Sequence, residues 1–385
     1  MNGKIKKVVI APDSFKECLT ALEAAEAIKE GLKTVWPNAE YVTVPMADGG
    51  EGTVQSLIDA THGKLIKKQV TGPTGKPVQG FFGLLGDAET AVIEMAAAAG
   101  LDYVPAPERN PLRATTFGVG ELISAALDLG VKRIILGLGG SATNDGGCGM
   151  AQALGAGLFD KTGRPINQGG AALNELESIN MSGFDKRLSE VEVKIATDVT
   201  NPLTGNQGAS AVFGPQKGAS RADVTLLDHA LKHFADVVKR DLGRDIDQVP
   251  GAGAAGGLGA GALCFLNGTI HPGIDLVIQA TNLEEKLRDA ALVITGEGRI
   301  DSQTIYGKTP VGVARSAKKF GIPVIGLAGS LSSDCAVVHQ HGIDALFSIV
   351  PGAVSLGEAL RTARFNLKLT AENVARVWEM AQPSD

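Results

Sequence analysis

The sequence predicts an α/β protein in which the two ends of the chain form one parallel-sheet domain around an inserted segment of different texture. Three observations carry this. Apolar runs at Lys7–Pro12, Ala291–Thr295 and Pro323–Gly329 each end in a small or charged loop and lead into helical periodicity, the pattern of strand–loop–helix units around a buried sheet. From Lys64 to about Gly100 the pattern changes to short strands broken by Thr71-Gly72-Pro73-Thr74-Gly75 and Gly83, which reads as antiparallel hairpins. Glycine supplies 50 of 385 residues with no collagen-like period, so the excess belongs to loops and close backbone approaches. The expected domains are 1–64 with 283–385, and 65–282.

Composition narrows the function. With 44% hydrophobic and 20% charged residues, a chain of this length has ample core for two domains. Aromatics are only 4% and the formal net charge is −6, so neither base-stacking platforms nor a phosphate-binding basic stripe is expected, and nucleic acid is not an expected partner. Cys18, Cys148, Cys264 and Cys335 form no C-x-x-C pair and suit a reducing cytoplasm. The longest uncharged stretch, Gly251–Thr269, is too glycine-rich for a membrane span.

In chain order, the first strand delivers Asp13-Ser14-Phe15-Lys16 to its carboxyl end, where open sheets bind ligands. Thr20-x-x-Glu23 is a capping box, and Leu22, Ala25, Ile28, Leu32 and Val35 form a helical stripe. Asp13 alone could equally be a turn or cap residue. The strand Tyr41–Met46 ends in Ala47-Asp48-Gly49-Gly50-Glu51-Gly52-Thr53, where Asp48 could hold magnesium or orient a hydroxyl, or simply cap a helix. Thr90–Met95 is a strand, Ala96–Gly100 starts a short helix, and Ala114–Glu121 opens an amphipathic one.

The central stretch runs from the buried strand Arg133–Leu136 through Gly137-Leu138-Gly139-Gly140-Ser141-Ala142-Thr143-Asn144-Asp145-Gly146-Gly147 into a small-residue helix. Glycines allow backbone N–H groups to approach a phosphate, and the following helix is expected to offer its positive end to the same place. A packing turn without a ligand is the plainer alternative. Further on, Val191–Thr197 ends in Asp198-Val199-Thr200-Asn201, which suits a general base with a positioning amide, or an Asx-turn. Lys217 lies on a turn where it could neutralise phosphate. Gly251-Ala252-Gly253-Ala254-Ala255-Gly256 matches G-x-G-x-x-G but follows no strand, so it is discounted as a dinucleotide fingerprint. Gly296-Glu297-Gly298-Arg299-Ile300-Asp301 places two acids and an arginine on what reads as a flexible loop. Gly307-Lys308-Thr309 lacks the first glycine of a P-loop, and Thr309-Pro310 reads as an N-cap and N1 pair. The histidines show no metal-ligand spacing.

Acids, lysine, arginine and glycine loops at strand ends, without a cysteine or histidine constellation, point to phosphoryl chemistry by positioning and charge neutralisation. The competing class is a dinucleotide-dependent oxidoreductase of small hydroxy acids, since Gly137-x-Gly139-x-x-Ala142 follows a strand and Asp160 lies downstream. Against it, glycines continue to Gly149, too far for the helix start to reach a pyrophosphate at Gly137–Gly140. A binding module without turnover would use the same loops.

Six segments in order, Ala11–Lys16, Ala47–Thr53, Gly139–Gly147, Asp198–Leu203, Phe213–Ala219 and Gly296–Asp301, resemble the signatures of the type-1 glycerate kinase family. The resemblance runs from about Lys7 to Ala375. It implies ATP- and Mg2+-dependent phosphorylation of D-glycerate, usually giving 2-phosphoglycerate and less often 3-phosphoglycerate. It also implies a Rossmann-like domain from both chain ends, an inserted α/β domain, and an active site in the cleft between them. On these segments the candidate catalytic residues are Asp198 as base, Asp48, Lys16 and Arg299. Gly139, Gly140, Ser141, Asn144 and Asp145 are the candidate nucleotide contacts. Asp13, Ser14, Asn201 and Glu297 are the candidate substrate contacts, and Asp48 and Asp301 the candidate magnesium ligands. A cytoplasmic protein with glycerate as its small-molecule partner is expected, compatible with a homodimer.

Overall fold

The computed structural model describes residues 5–381. In chain order its strands are β1 Lys7–Ile10, β2 Glu40–Thr43, β3 Lys64–Thr71, β4 Pro77–Leu84, β5 Thr90–Glu94, β6 Arg133–Gly137, β7 Gly157–Phe159, β8 Ser178–Asn180, β9 Glu192–Ala196, β10 Thr269–His271, β11 Leu292–Ile300, β12 Val324–Leu331 and β13 Ala345–Ser348. They form a five-stranded sheet ordered β13-β12-β11-β1-β2, a six-stranded sheet ordered β10-β9-β6-β5-β4-β3, and the small pair β7-β8. The class is α/β, as the strand–loop–helix pattern predicts.

The chain divides into two compact units: Met1–Asp48 with Gln55–His62 and Ile274–Asp385, and Gly49–Val54 with Gly63–Gly273. In the first unit every neighbouring strand pair is parallel, and Val8, Val9 and Ile10 of β1 lie opposite Leu292, Val293 and Ile294 of β11. Parallel strands need covered faces, which explains the unbroken apolar runs of β1 and the start of β11. The helix Ala21–Lys33 begins with the capping box read from sequence: Thr20 accepts from the Glu23 N–H at 3.2 Å while Glu23 accepts from the Thr20 N–H at 2.9 Å. Its buried stripe differs from the expected one. Leu22 is exposed, and Ala21, Ala24, Ala25, Ile28 and Leu32 face the core with the long helix Leu356–Met380 packed alongside. Small side chains on that face let the two helices approach closely.

In the second unit β5, β6, β9 and β10 are parallel, while β3, β4 and β5 pair antiparallel, the hairpin texture of the sequence. The core contains Ile93, Leu122, Ile134, Leu136 and Ile195, and a second cluster gathers around Phe234 and Leu231.

Two local expectations fail for identifiable reasons. Glu297 and Arg299 are not on a loop: β11 continues to Ile300, with Arg299 opposite Ser330 and Ile300 opposite Leu331 on β12. The glycines that suggest a loop permit close strand approach instead, since a Cβ on Gly296 would sit 2.0 Å from the Leu327 carbonyl oxygen. Thr309 is not an N-cap. Lys308 holds that position, and the Thr309 hydroxyl turns to Asp13. Among the described residues no helix is long and apolar enough to cross a membrane, and all four cysteines are free.

Candidate active site

The first unit gathers its chemistry at the carboxyl ends of β1 and β11. After β1 the chain stays beside β11, with Ala11 N–H on the Ile294 carbonyl and Asp13 N–H on the Gly296 carbonyl, both at 2.8 Å. This anchors the Asp13 carboxylate, whose Oδ1 accepts from the Ser14 N–H and hydroxyl at 2.6 and 3.2 Å and whose Oδ2 accepts from Thr309 at 2.5 Å. Burial, then the Asp48 carboxylate, push Asp13 up to about 6, although Thr309 and Ser14 pull it back. Glu297 accepts from the Thr304 hydroxyl at 2.9 Å and lies 3.8 Å from Lys308. Burial raises it to about 7; Lys308 and Thr304 oppose that rise, and Asp13 and Asp48 add to it. The sequence candidates Asp13, Ser14, Asp48 and Glu297 are therefore brought into one acidic cluster, with Thr304, Lys308 and Thr309 as partners that no sequence motif connects to these acids.

Asp301 is placed differently from its expected role as a magnesium ligand. Its Oδ2 pairs with Arg299 at 3.2 Å, its Oδ1 caps the following turn through Gln303 N–H at 2.9 Å, and Lys308 lies 3.9 Å away. Its contacts here are thus two cations and a turn N–H. Asp13 and Asp48 stand close enough for their charges to oppose one another, a repulsion that a divalent cation would relieve. Among the described residues no group of three or more His, Cys, Asp or Glu side chains could hold a metal ion. Magnesium is ordinarily held by only one or two carboxylates together with water and substrate phosphate, so a site built from Asp13 and Asp48 suits it. Arg299 and Lys16 are both exposed on this unit, and the Lys16 backbone lies near Gly298.

In the second unit the loop after β6 is clamped on one side by residues 99–101: Ala142 N–H donates to the Ala99 carbonyl and Leu101 N–H to the Gly140 carbonyl, both at 2.9 Å. Gly139 and Gly140 are exposed and Ser141 is 6% exposed, whereas Asn144 and Asp145 are 0% and 1% exposed. Asp145 accepts from the Thr116 N–H and hydroxyl at 2.8 and 2.9 Å and from Gly147 and Gly149 N–H at 3.2 Å. Asn144 donates to Ser210 at 3.0 Å. Both expected nucleotide contacts thus hold the loop from within. The helix Cys148–Ala153 does not offer its N-terminus to an anion either, because Asp145 and Thr116 take the N–H groups of Gly147, Gly149 and Met150. The exposed face of the loop is Gly139 and Gly140, with the buried Ser141 next to them in the chain.

The glycine run Gly251–Gly256, which is no dinucleotide fingerprint, is the packing partner of this loop. Gly256 has φ +66° and its carbonyl accepts from Gly146 N–H at 3.1 Å; a Cβ there would lie 2.0 Å from the Thr143 carbonyl oxygen. Asp198 stands exposed beyond β9, with Oδ1 accepting from the Gly273 N–H at 3.2 Å. Asn201 donates from Nδ2 to the Gln207 carbonyl at 2.8 Å, so that side of its amide serves the turn. Glu94, at the end of β5, belongs to no motif of the sequence; it accepts from Val54 N–H at 2.8 Å and its proton affinity is raised by burial.

Comparison with known proteins agrees with this chemistry. Residues 8–379 match the model of the glycerate kinase family. A Bacillus subtilis protein named glycerate kinase is 58% identical over 98% of each chain. An Escherichia coli protein named glycerate 2-kinase is 55% identical over 96% of this chain and 97% of its own. A crystal structure from Salmonella typhimurium LT2, designated putative glycerate kinase 2, superposes with a TM-score of 0.92 at 53% identity, covering 98% of this chain and 99% of that one. An oxidoreductase reading of Gly137-x-Gly139-x-x-Ala142 has no support in the loop, whose helix begins only at Cys148. By residues, geometry and descent, this chain belongs to the glycerate kinase family.

Proposed function

We propose that the protein transfers the γ-phosphoryl group of ATP to the 2-hydroxyl of D-glycerate, giving 2-phosphoglycerate and ADP. The observation that carries this reading is full-length similarity to proteins named glycerate kinase and glycerate 2-kinase, and the acidic cluster and glycine loop of this chain suit that chemistry.

Phosphoryl transfer asks the protein to bind anions, orient a hydroxyl, accept its proton and neutralise charge. Gly139, Gly140 and Ser141 present backbone N–H groups and a hydroxyl for phosphate oxygens. Lys16 and Arg299 are exposed cations for the glycerate carboxylate or for phosphate, Arg299 in a forked geometry that suits either. Asp198 is the base for the 2-hydroxyl, exposed at a strand end. Glu297, at about 7, has the proton affinity of a base near neutrality and is its competitor. Asp48 with Asp13 would hold magnesium, which when bound neutralises charge on phosphate oxygens.

The deciding experiment is an ADP-release assay over D-glycerate, L-glycerate and related hydroxy acids, with NMR of the product. D-glycerate should give the strongest turnover and 2-phosphoglycerate. A 3-phosphoglycerate product would correct the position, and absence of ADP release with every acid would overturn the reading.

A further inference from the structure

Lys217 is 1% exposed with its Nζ bonded inside the protein, so it does not neutralise phosphate from its turn as the sequence suggests. It ends the short turn Pro215–Lys217, which is fixed by Lys217 N–H on the Gly214 carbonyl at 3.0 Å, Gly218 N–H on the Pro215 carbonyl at 3.0 Å, and Arg109 on the Gln216 carbonyl at 3.1 Å. From this turn the side chain passes behind the loop after β6. Its Nζ donates to the Ser141 hydroxyl oxygen at 2.7 Å and to the Thr143 carbonyl at 2.6 Å. Burying an ammonium is costly, and a lysine meant only to fill space would be better replaced by methionine. Burial pulls its proton affinity down to about 7, and the Asp145 charge resists that fall, but the Asp145 carboxylate already accepts from four other donors.

In its ammonium form, which the Asp145 charge favours, the lysine can only donate. The Ser141 oxygen is therefore held as an acceptor from within, and the Ser141 hydroxyl hydrogen must find another acceptor. Among the described residues it has none. Beside it lie the exposed Gly139 and Gly140. The Gly100–Ser141 bridge and the Ala142–Ala99 bond fix the backbone from the other side, and the Lys217 ammonium holds the Ser141 oxygen itself.

We infer that Lys217 is a positioning residue of the phosphate-binding loop: it fixes Ser141 from behind so that the Ser141 O–H is donated to a phosphate oxygen of the nucleotide. The inference rests on the kinase reading for its ligand, while the lysine–serine relay belongs to the loop itself. Lys217 touches no reacting atom and acts entirely through Ser141.

The test compares wild type with Lys217→Met, Ser141→Ala and the double variant, reading kcat and KM for ATP and for D-glycerate, and the thermal shift given by ADP. Each single variant should lose about ten- to a hundredfold in kcat/KM for ATP, the scale of one hydrogen bond to a charged group, with KM for D-glycerate nearly unchanged. The double variant should lose no more than the worse single variant, because both changes break one relay. Losses that multiply in the double variant, or a Lys217→Met enzyme with wild-type ATP kinetics, overturn the inference. Should Lys217→Met fail to fold, Ser141→Ala decides: wild-type ATP kinetics there overturn it. If wild type shows an ADP shift that both single variants reduce but releases no ADP with any hydroxy acid, the kinase reading fails and the relay stands. If wild type shows neither ADP shift nor turnover, both fail.

Discussion

The hydroxyl of Thr309 donates to Oδ2 of Asp13 at 2.5 Å, joining two positions 296 residues apart. Thr309 is fully buried, and this bond, with those from Ser14, keeps the Asp13 carboxylate from an even higher proton affinity. Thr309→Val keeps the shape and removes the donor. The variant should lose on the order of 1–2 kcal/mol of stability near pH 7, where Asp13 is charged, and less at pH 5. Denaturant unfolding at the two pH values checks this; equal losses at both would show that the bond does not serve the charged form.

Glu297 sets a pH dependence of definite sign. Its folded-state value of about 7 stands above the ordinary 4.5, so the fold holds the proton more tightly than the unfolded chain does. The stability it contributes is complete below about 4.5 and is lost as pH rises through about 7. Glu297→Gln should therefore stabilise the ligand-free protein at pH 8 by on the order of 2 kcal/mol, read as a higher melting temperature, and change little near pH 4. A variant that destabilises at pH 8 would mean that the ionised carboxylate is a net stabilising partner of Lys308.

The strand ends carrying Asp13, Asp48 and Asp198 were legible because an apolar run that stops at small and acidic residues marks the carboxyl edge of a parallel sheet, where ligands bind, whereas Glu297 lies within β11. Lys217 and Thr309 were legible as residues but not as partners, since their bonds span 76 and 296 positions that no local spacing reports. Asn144 and Asp145 are turned inward for a related reason. Polar residues within a glycine loop look like ligand contacts, yet a loop this short of side chains needs internal acceptors for its own N–H groups, and Asp145 supplies them. Gly296 and Gly298 misled because glycine marks both a flexible loop and a close strand approach, and sequence alone does not separate the two.

Arg299 should matter to substrate and hardly to folding. Its side chain is 66% exposed and its pairing with Asp301 is a surface ion pair, worth about 0–1 kcal/mol. Arg299→Ala should raise KM for D-glycerate by about ten- to a hundredfold if the guanidinium holds the carboxylate, with the melting temperature nearly unchanged. An increase confined to KM for ATP would move Arg299 to the phosphate end of the reaction, and unaltered kinetics would remove it from the site.

The assignment of the base is decided by comparing two variants. Asp198 has the exposure a base needs, while Glu297 has the raised proton affinity but is held by Thr304 and lies near Lys308. A base that takes the hydroxyl proton during transfer should, when replaced by its amide, lower kcat by about a hundredfold or more and leave nucleotide affinity nearly intact. Asp198→Asn is expected to behave so. Glu297→Gln should instead alter the pH dependence of kcat/KM near 7, because it removes a group that titrates there and charges the site around Asp13. If Asp198→Asn keeps its kcat and only KM for D-glycerate rises, Asp198 merely orients the substrate. A loss of kcat of about a hundredfold in Glu297→Gln, with disappearance of the acid limb near pH 7, would then place the proton on Glu297.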